Sequence, residues 1–213
     1  MISGILNIPS SIKFPLNVRI IGAINIDETT HYLSPKILDR AHIMKFDSPL
    51  LFDWTQIADE IEENENKNLK IKFTIEELGL RDPYPSFDKD NLFCQIITSF
   101  TKSYFQPLGI EVGLRTIRQG LNYQNIYKEQ ESNENLVLNN FILHKILPKM
   151  TFDWKKKVDE NRSKEDILLE FQRVLKDNID ENLVNSKSVS VINELDEIIT
   201  ASRSNDGIVN YWA

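Results

Sequence analysis

Three polar residues stand at places along this chain where chemistry can be done: Asn25, Arg40 and Arg115. Asn25 breaks the apolar run Val18 to Ile26 (VRIIGAINI) near its carboxyl end, which is where ligands of open α/β sheets sit. An amide there either completes the hydrogen bonds of neighbouring backbone or holds a reacting water or phosphate oxygen. Arg40 follows Asp39 at the end of a short predicted helix. Read by itself, it pairs with that carboxylate or a nearby one on a solvated face. Arg115 lies in Gly113-Leu114-Arg115 at the start of another predicted helix, where the backbone N–H groups and the helix dipole already favour anions. Gly-x-Arg is a common string, and an ordinary surface helix explains it equally well. Arg118, one turn further on, is a weaker second candidate.

The elements that would position these residues divide the chain in three. Residues 1–47 read as the end of an α/β unit. Val18 to Ile26 has the length and near-continuous apolarity of a strand buried on both faces of a parallel sheet. Ser34-Pro35 marks a helix start, with Ser as N-cap and Pro in the first turn, and Leu38 and Ala41 follow at helical spacing. His42 to Phe46 (HIMKF) reads as a second short buried strand. Two strands cannot cover both faces of a sheet, so this unit calls for neighbours on its N-terminal side. Residues 48–87 form an acidic, Asn-rich connector. Trp54, Ile57 and Ile61 mark one helical stripe, Leu69 to Phe73 alternates like a strand, and Thr74 with Glu77 suits a capping box. Two prolines in Asp82 to Ser86 (DPYPS) end regular structure.

Residues 88–213 read as helical. Phe93, Ile96, Ile97, Phe100 and Tyr104 form one stripe of a helix that ends near Pro107-Leu108-Gly109. Four more helices are predicted, at about 113–128, 135–147, 163–177 and 187–202. In the third of these Ser163 caps, and Ile167, Leu168, Phe171, Val174 and Leu175 face inward. Gly207 to Trp212 (GIVNYW) suits a short terminal strand or extended segment.

Composition narrows the field. With 41% hydrophobic and 27% charged residues the chain is a globular mixture rather than a disordered one. A net charge of −7 is not that of a dedicated nucleic-acid binder. The single Cys94 excludes an internal disulfide and a Cys-cluster zinc site, and His31, His42 and His144 lack metal-ligand spacing. No run reaches the roughly 18 apolar residues of a membrane span, and no signal peptide is recognisable, so a cytoplasmic protein without a membrane partner is expected. The serines of 186–190 have no partnered histidine. Lys155-Lys156-Lys157 beside Trp154 has the makings of a nucleic-acid contact, although such runs are more often solvated surface.

The segment 19–46 resembles AAA+ ATPases of the McrB-like family, the motors of modified-DNA restriction and related bacterial defence. The family pattern of a Gly-Thr-x-Asn strand end is met by Gly22-Ala23-Ile24-Asn25, with Ala23 as the departure. Asp27-Glu28-Thr29-Thr30 and Ser34-Pro35-Lys36-Ile37-Leu38-Asp39-Arg40-Ala41 complete the match. The resemblance implies that Asn25 is the sensor-1 residue polarising the attacking water, and that Arg40 is an arginine finger acting on the neighbouring subunit's site. It implies that Arg115 is the sensor-2 arginine, meeting the γ-phosphate held by its own subunit. Lys145 to Lys149 and Gly207 to Trp212 look like the family's lid. A rival reading takes Ile24 to Glu28 as a Walker B strand. Asn25 breaks the apolar run where such a strand should stay apolar, and Asp27 and Glu28 then read as lining a subunit interface.

The fold expected from this resemblance is an α/β remnant followed by an α-helical lid, the C-terminal part of an AAA+ module. None of the seven glycines is followed by lysine, so the chain carries no Gly-x-x-x-x-Gly-Lys phosphate loop. The Walker elements are expected upstream of Met1, and the end at Asn210-Tyr211-Trp212-Ala213 is expected to be natural. ATP or GTP with Mg²⁺ would be the cofactor of the complete motor, with none held by this chain alone. Expected partners are an upstream P-loop half or neighbouring AAA+ subunits, a McrC-like nuclease subunit and, indirectly, DNA. The alternative is a non-enzymatic helical adaptor derived from an AAA+ lid.

Overall fold

Pro107 and Pro148 leave the same mark on the backbone. Each follows, two residues on, the end of a π-turn, Thr101–Phe105 in one case and Ile142–Ile146 in the other. A proline has no N–H, and its ring crowds the carbonyl four residues back, here those of Ser103 and His144. The helix widens to relieve that crowding, and the carbonyl of His144 is left without its usual helical partner. It accepts instead from the backbone N–H of Ile43 at 3.2 Å.

The computed structural model describes residues 11, 20–24, 33–46, 88, 90–130, 134–179 and 189–212. The chain divides into two units, Met1–Asn25 with Phe46–Pro83 and Ile26–Lys45 with Tyr84–Ala213. Every described element belongs to the second. In chain order these are α1 (Pro35–Leu38), α2 (Leu92–Phe100), the first π-turn, α3 (Gln106–Leu108), α4 (Leu114–Gln130), α5 (Glu134–Phe141) and the second π-turn. A 3-10 turn (Leu147–Lys149), β1 (Thr151–Asp153), α6 (Lys164–Asn178), α7 (Val191–Ser204) and β2 (Ile208–Asn210) follow. The fold of this unit is mostly helical, with one small antiparallel sheet that pairs Thr151 with Asn210, Phe152 with Val209 and Asp153 with Ile208.

The five helices expected after residue 88 are present, and their local signals explain where they start and stop. Asn91 caps α2 by accepting from the Cys94 N–H at 2.9 Å. Gly109, at φ +89°, ends α3 in the left-handed conformation that glycine adopts without steric cost. Ser163 and Asp166 form a reciprocal capping box at the start of α6. The expected stripes face the core: Phe93, Ile97 and Phe100 on α2, and Ile167, Leu168, Phe171 and Leu175 on α6, with Val174 partly buried. Phe171 sits at the centre, its ring 5.2–5.6 Å from those of Phe100, Tyr104 and Phe105. The terminal segment forms β2, and its partner β1 was not anticipated.

The two expected strands of the N-terminal region are not strands in their described parts. Residues 20–24 carry no ladder, and Ile20 and Ile21 are 82% and 97% exposed. His42 to Phe46 is likewise without a strand partner, and Met44 and Phe46 face solvent. An apolar run becomes a buried strand only when neighbouring strands take up its N–H and C=O groups. Here Ile43 pairs with the second π-turn instead. Asn25, Asp27, Glu28, His31, the whole connector 48–87 with its capping box and strand, and the expected start of the last helix at 187–188 lie outside the described residues. No described helix is long and apolar enough to cross a membrane.

A polar cluster around Asp39 as the candidate functional site

α1 is only four residues long, far too short to stand alone. Ser34 precedes it with no side-chain cap bond, and Pro35 occupies the first turn as expected. Leu38 is its one buried side chain. What holds the segment after it is a set of side chains from α4 and the second π-turn.

Asp39 is the hub. Its carboxylate accepts from Thr116 Oγ1 at 2.8 Å and from the Arg115 guanidinium at 3.2 Å, and lies 3.5 Å from Lys149 Nζ. Burial by itself would raise its pKa. The Thr116 bond, the charge and hydrogen bond of Lys149 and the Arg115 bond outweigh that and hold it below the usual carboxylate range. A carboxylate therefore occupies the first turn of α4, the end of a helix that favours anions.

Lys145 is 1% exposed, and its ammonium donates to the carbonyls of Ala41 at 2.6 Å and Asp39 at 3.0 Å. Gln119 Nε2 donates to the intervening carbonyl of Arg40 at 3.4 Å. His144 donates from Nδ1 to the Ile43 carbonyl at 2.7 Å, which requires the proton on that nitrogen. Lys149 also donates to the Glu111 carbonyl at 3.0 Å. Further along, Lys45 pairs with the largely buried Glu194 of α7 at 3.1 Å. Burial, reinforced by the Lys149 charge and opposed by Asp39, pushes the Lys145 ammonium down to about 8. Burial likewise lowers Lys149, against the pull of Asp39.

The sequence-predicted site residues separate as follows. Arg115 is at the start of α4 as expected, its side chain 54% exposed and paired with Asp39. Arg40 is exposed, and among the described residues its side chain has no hydrogen-bond or ion-pair partner. The pairing of Arg40 with the adjacent Asp39, one of the two readings of that residue, is not made, because Asp39 turns to α4 and Lys149. Asn25 lies outside the described residues. From sequence, Lys145 and Lys149 read only as the ends of a lid-like stretch and His144 only as a histidine without metal-ligand spacing, and Thr116 and Gln119 carry no site role. The i, i+4 spacing of Lys145 and Lys149 puts them on one helical face, but no local signal shows that this face meets Asp39.

The arrangement offers exposed cationic groups at Arg40 and on the free edge of Arg115, which is chemistry suited to an anion such as a phosphoryl group. Among the described residues no group of three His, Cys, Asp or Glu side chains is placed to hold a metal ion. Nor does Lys155 to Lys157 form a base-stacking site with Trp154. That indole is buried in the core, and Lys155 pairs with Asp206.

A helical domain closed by a two-stranded sheet, docked by a polar cluster onto the segment before it, is the class this architecture defines. The chain belongs to the family described as "Domain of unknown function (DUF8727)", whose model matches residues 88–207. No curated protein and no solved structure matches the chain.

Proposed function

We propose that this chain supplies the C-terminal part of a McrB-like AAA+ nucleotide-driven motor, with Arg40 as the arginine finger, Arg115 as sensor 2 and Asn25 as sensor 1. The observation that carries the reading is the fate of the Asp39-Arg40 pair. The carboxylate is taken up by Arg115, Thr116 and Lys149, and the neighbouring guanidinium is left exposed and unpaired among the described residues. An arginine kept only to neutralise its neighbour has no reason to stand free. Exposure of Ile20, Ile21 and Ile24 also supports a segment that awaits further strands. A P-loop would come from elsewhere in the assembly, together with the Mg²⁺ and ATP or GTP it binds. A McrC-like nuclease and DNA follow from the family resemblance alone.

The chain alone is therefore expected neither to bind nor to turn over ATP or GTP, since sensor and finger residues stabilise a transferring phosphate without holding a nucleotide. Turnover above background that disappears in Asn25→Ala would overturn this. In a ring completed by a P-loop half, mixing Arg40→Ala subunits with P-loop-dead subunits should restore part of the hydrolysis, because each supplies what the other lacks. No restoration in a properly mixed ring would make Arg40 structural.

A second reading, the non-enzymatic helical adaptor, is favoured by one observation: residues 93–211 provide a continuous buried core of their own. Analytical ultracentrifugation with limited proteolysis separates the two. A stable monomer whose first 47 residues resist protease supports the adaptor, and rapid trimming to a resistant helical core supports the motor part.

A further inference from the structure

We infer that Lys145 is a positioning residue for Arg40: its ammonium bridges the carbonyls of Asp39 and Ala41 and so fixes the backbone from which the Arg40 guanidinium reaches solvent. The role of Arg40 itself rests on the function proposed above; the grip on its backbone does not.

Three consecutive carbonyls, those of Asp39, Arg40 and Ala41, are bonded by side chains from other elements, the outer two by Lys145 and the middle one by Gln119. A single helical turn leaves its last carbonyls without partners of its own, and four residues cannot sustain a helix by themselves. The position of residue 40 is therefore set from outside, by α4 and the second π-turn. A lysine placed out of water is costly unless its donors are used. Both of the hydrogen bonds Lys145 makes go to this one segment, which ties the lysine's burial to the segment being in place. Pro148 contributes indirectly, because it frees the His144 carbonyl for the Ile43 N–H, and the same π-turn carries Lys145.

The charged and titratable groups facing Lys145 are Asp39 and His42 on the docked segment, with His144 and Lys149 beside it. His42 is exposed by surface area, yet desolvation of its ring and the charges of Lys145 and His144 push it down to about 4. His144 is also lowered by burial, against its bond to Ile43. Both imidazoles are thus neutral well before the Lys145 ammonium, at about 8, begins to lose its proton. The docked lysine holds its proton less firmly than a solvated one, so deprotonation favours the docked segment, and the neutral amine still has donors for the carbonyls of residues 39 and 41.

Hydrogen exchange on the full chain tests this. The amides of Arg40 and Ala41 bond to the Ile37 carbonyl and that of Ile43 to the His144 carbonyl, so their protection reports whether the segment is held. Lys145→Met should lower protection at these amides about tenfold or more while leaving α6 unchanged, the loss of a charge-assisted bond being worth at least that factor. In the unmodified chain, protection of the same amides, corrected for intrinsic exchange, should rise as pH is taken above about 8, because opening the segment returns Lys145 to water and to its ordinary, higher pKa. Lys145→Arg, which keeps donors and charge, should restore protection and make it flat with pH. Unchanged protection in Lys145→Met overturns the inference. Should that variant lose protection throughout the chain, the pH profile of the unmodified chain decides, and a profile flat from pH 7 to 9.5 overturns it. The two levels separate cleanly: an Arg40→Ala ring with full hydrolysis would remove the finger reading and leave the grip, and unaltered exchange in Lys145→Met would do the reverse.

Discussion

Asn139, fully buried on α5, accepts a hydrogen bond from the backbone N–H of Val191 at 2.8 Å and donates to the carbonyl of Val189 at 2.9 Å. One side chain thereby closes the start of α7 onto α5. Replacing it by alanine strands a buried helix-terminal N–H and a carbonyl, each costing about 1–3 kcal/mol. Asn139→Ala should therefore destabilise the chain by about 3 kcal/mol in urea unfolding. A loss below about 0.5 kcal/mol would show that water replaces the side chain at no cost.

Gly207 lies directly under the Trp154 indole. A Cβ there would come within 2.3 Å of Nε1 and 2.5 Å of Cδ1, and the residue has φ +87°. Gly207→Ala meets both a clash and a strained backbone, and a loss of about 2–4 kcal/mol is expected, with a shift in Trp154 emission. Gly22→Ala, where nothing lies within 4 Å, serves as the neutral comparison. Equal stabilities for the two variants would mean that the turn between α7 and β2 relaxes freely.

Gly120 sets two effects against each other. Alanine is preferred over glycine inside a helix by about 1 kcal/mol. A Cβ at this point of α4 would approach Phe93 Cζ to 2.6 Å and Phe141 Cε2 to 2.8 Å, rings that pack edge to face at 5.1 Å. Overpacking of this kind costs about 1–3 kcal/mol, so Gly120→Ala should be net destabilising by about 1 kcal/mol. A stabilised variant would show that the two rings turn aside.

Asp39 gives stability a defined acid limb. Its pKa is lowered on folding, so its contribution is fully present above the unfolded value near ~4 and is lost as pH falls through the lower folded value. Asp39→Asn should be less stable than the parent chain at pH 6, and the difference should narrow as both are taken down toward pH 2. The other depressed carboxylates, Asp159, Asp166 and Asp206, are common to both chains and cancel in the comparison. A pH-independent difference would assign the effect to packing rather than charge.

Much of the helical domain can be read from residues alone because its signals are local. Ser163 and Asp166 are three positions apart, Pro107-Leu108-Gly109 ends a helix within one turn, and the stripe from Ile167 to Leu175 repeats every three or four residues. Such features act over a few residues and need no partner to be recognised. The family resemblance of 19–46, with Asn25 and Arg40, is likewise a property of the string.

What tertiary structure decided is where distant segments meet. Thr116 reaches Asp39 across 77 positions and Lys145 reaches the Asp39 carbonyl across 106. No periodicity records that an apparently ordinary lysine is buried, or that Asp39 would leave Arg40 for Arg115. The same holds for the runs VRIIGAINI and HIMKF. Their apolarity suits a strand, but a strand exists only through its neighbours, and in 20–24 and 42–46 no ladder partner is present among the described residues. Even the π-turns, prompted locally by Pro107 and Pro148, acquire their consequence only when Ile43 arrives to take the carbonyl that Pro148 has left free.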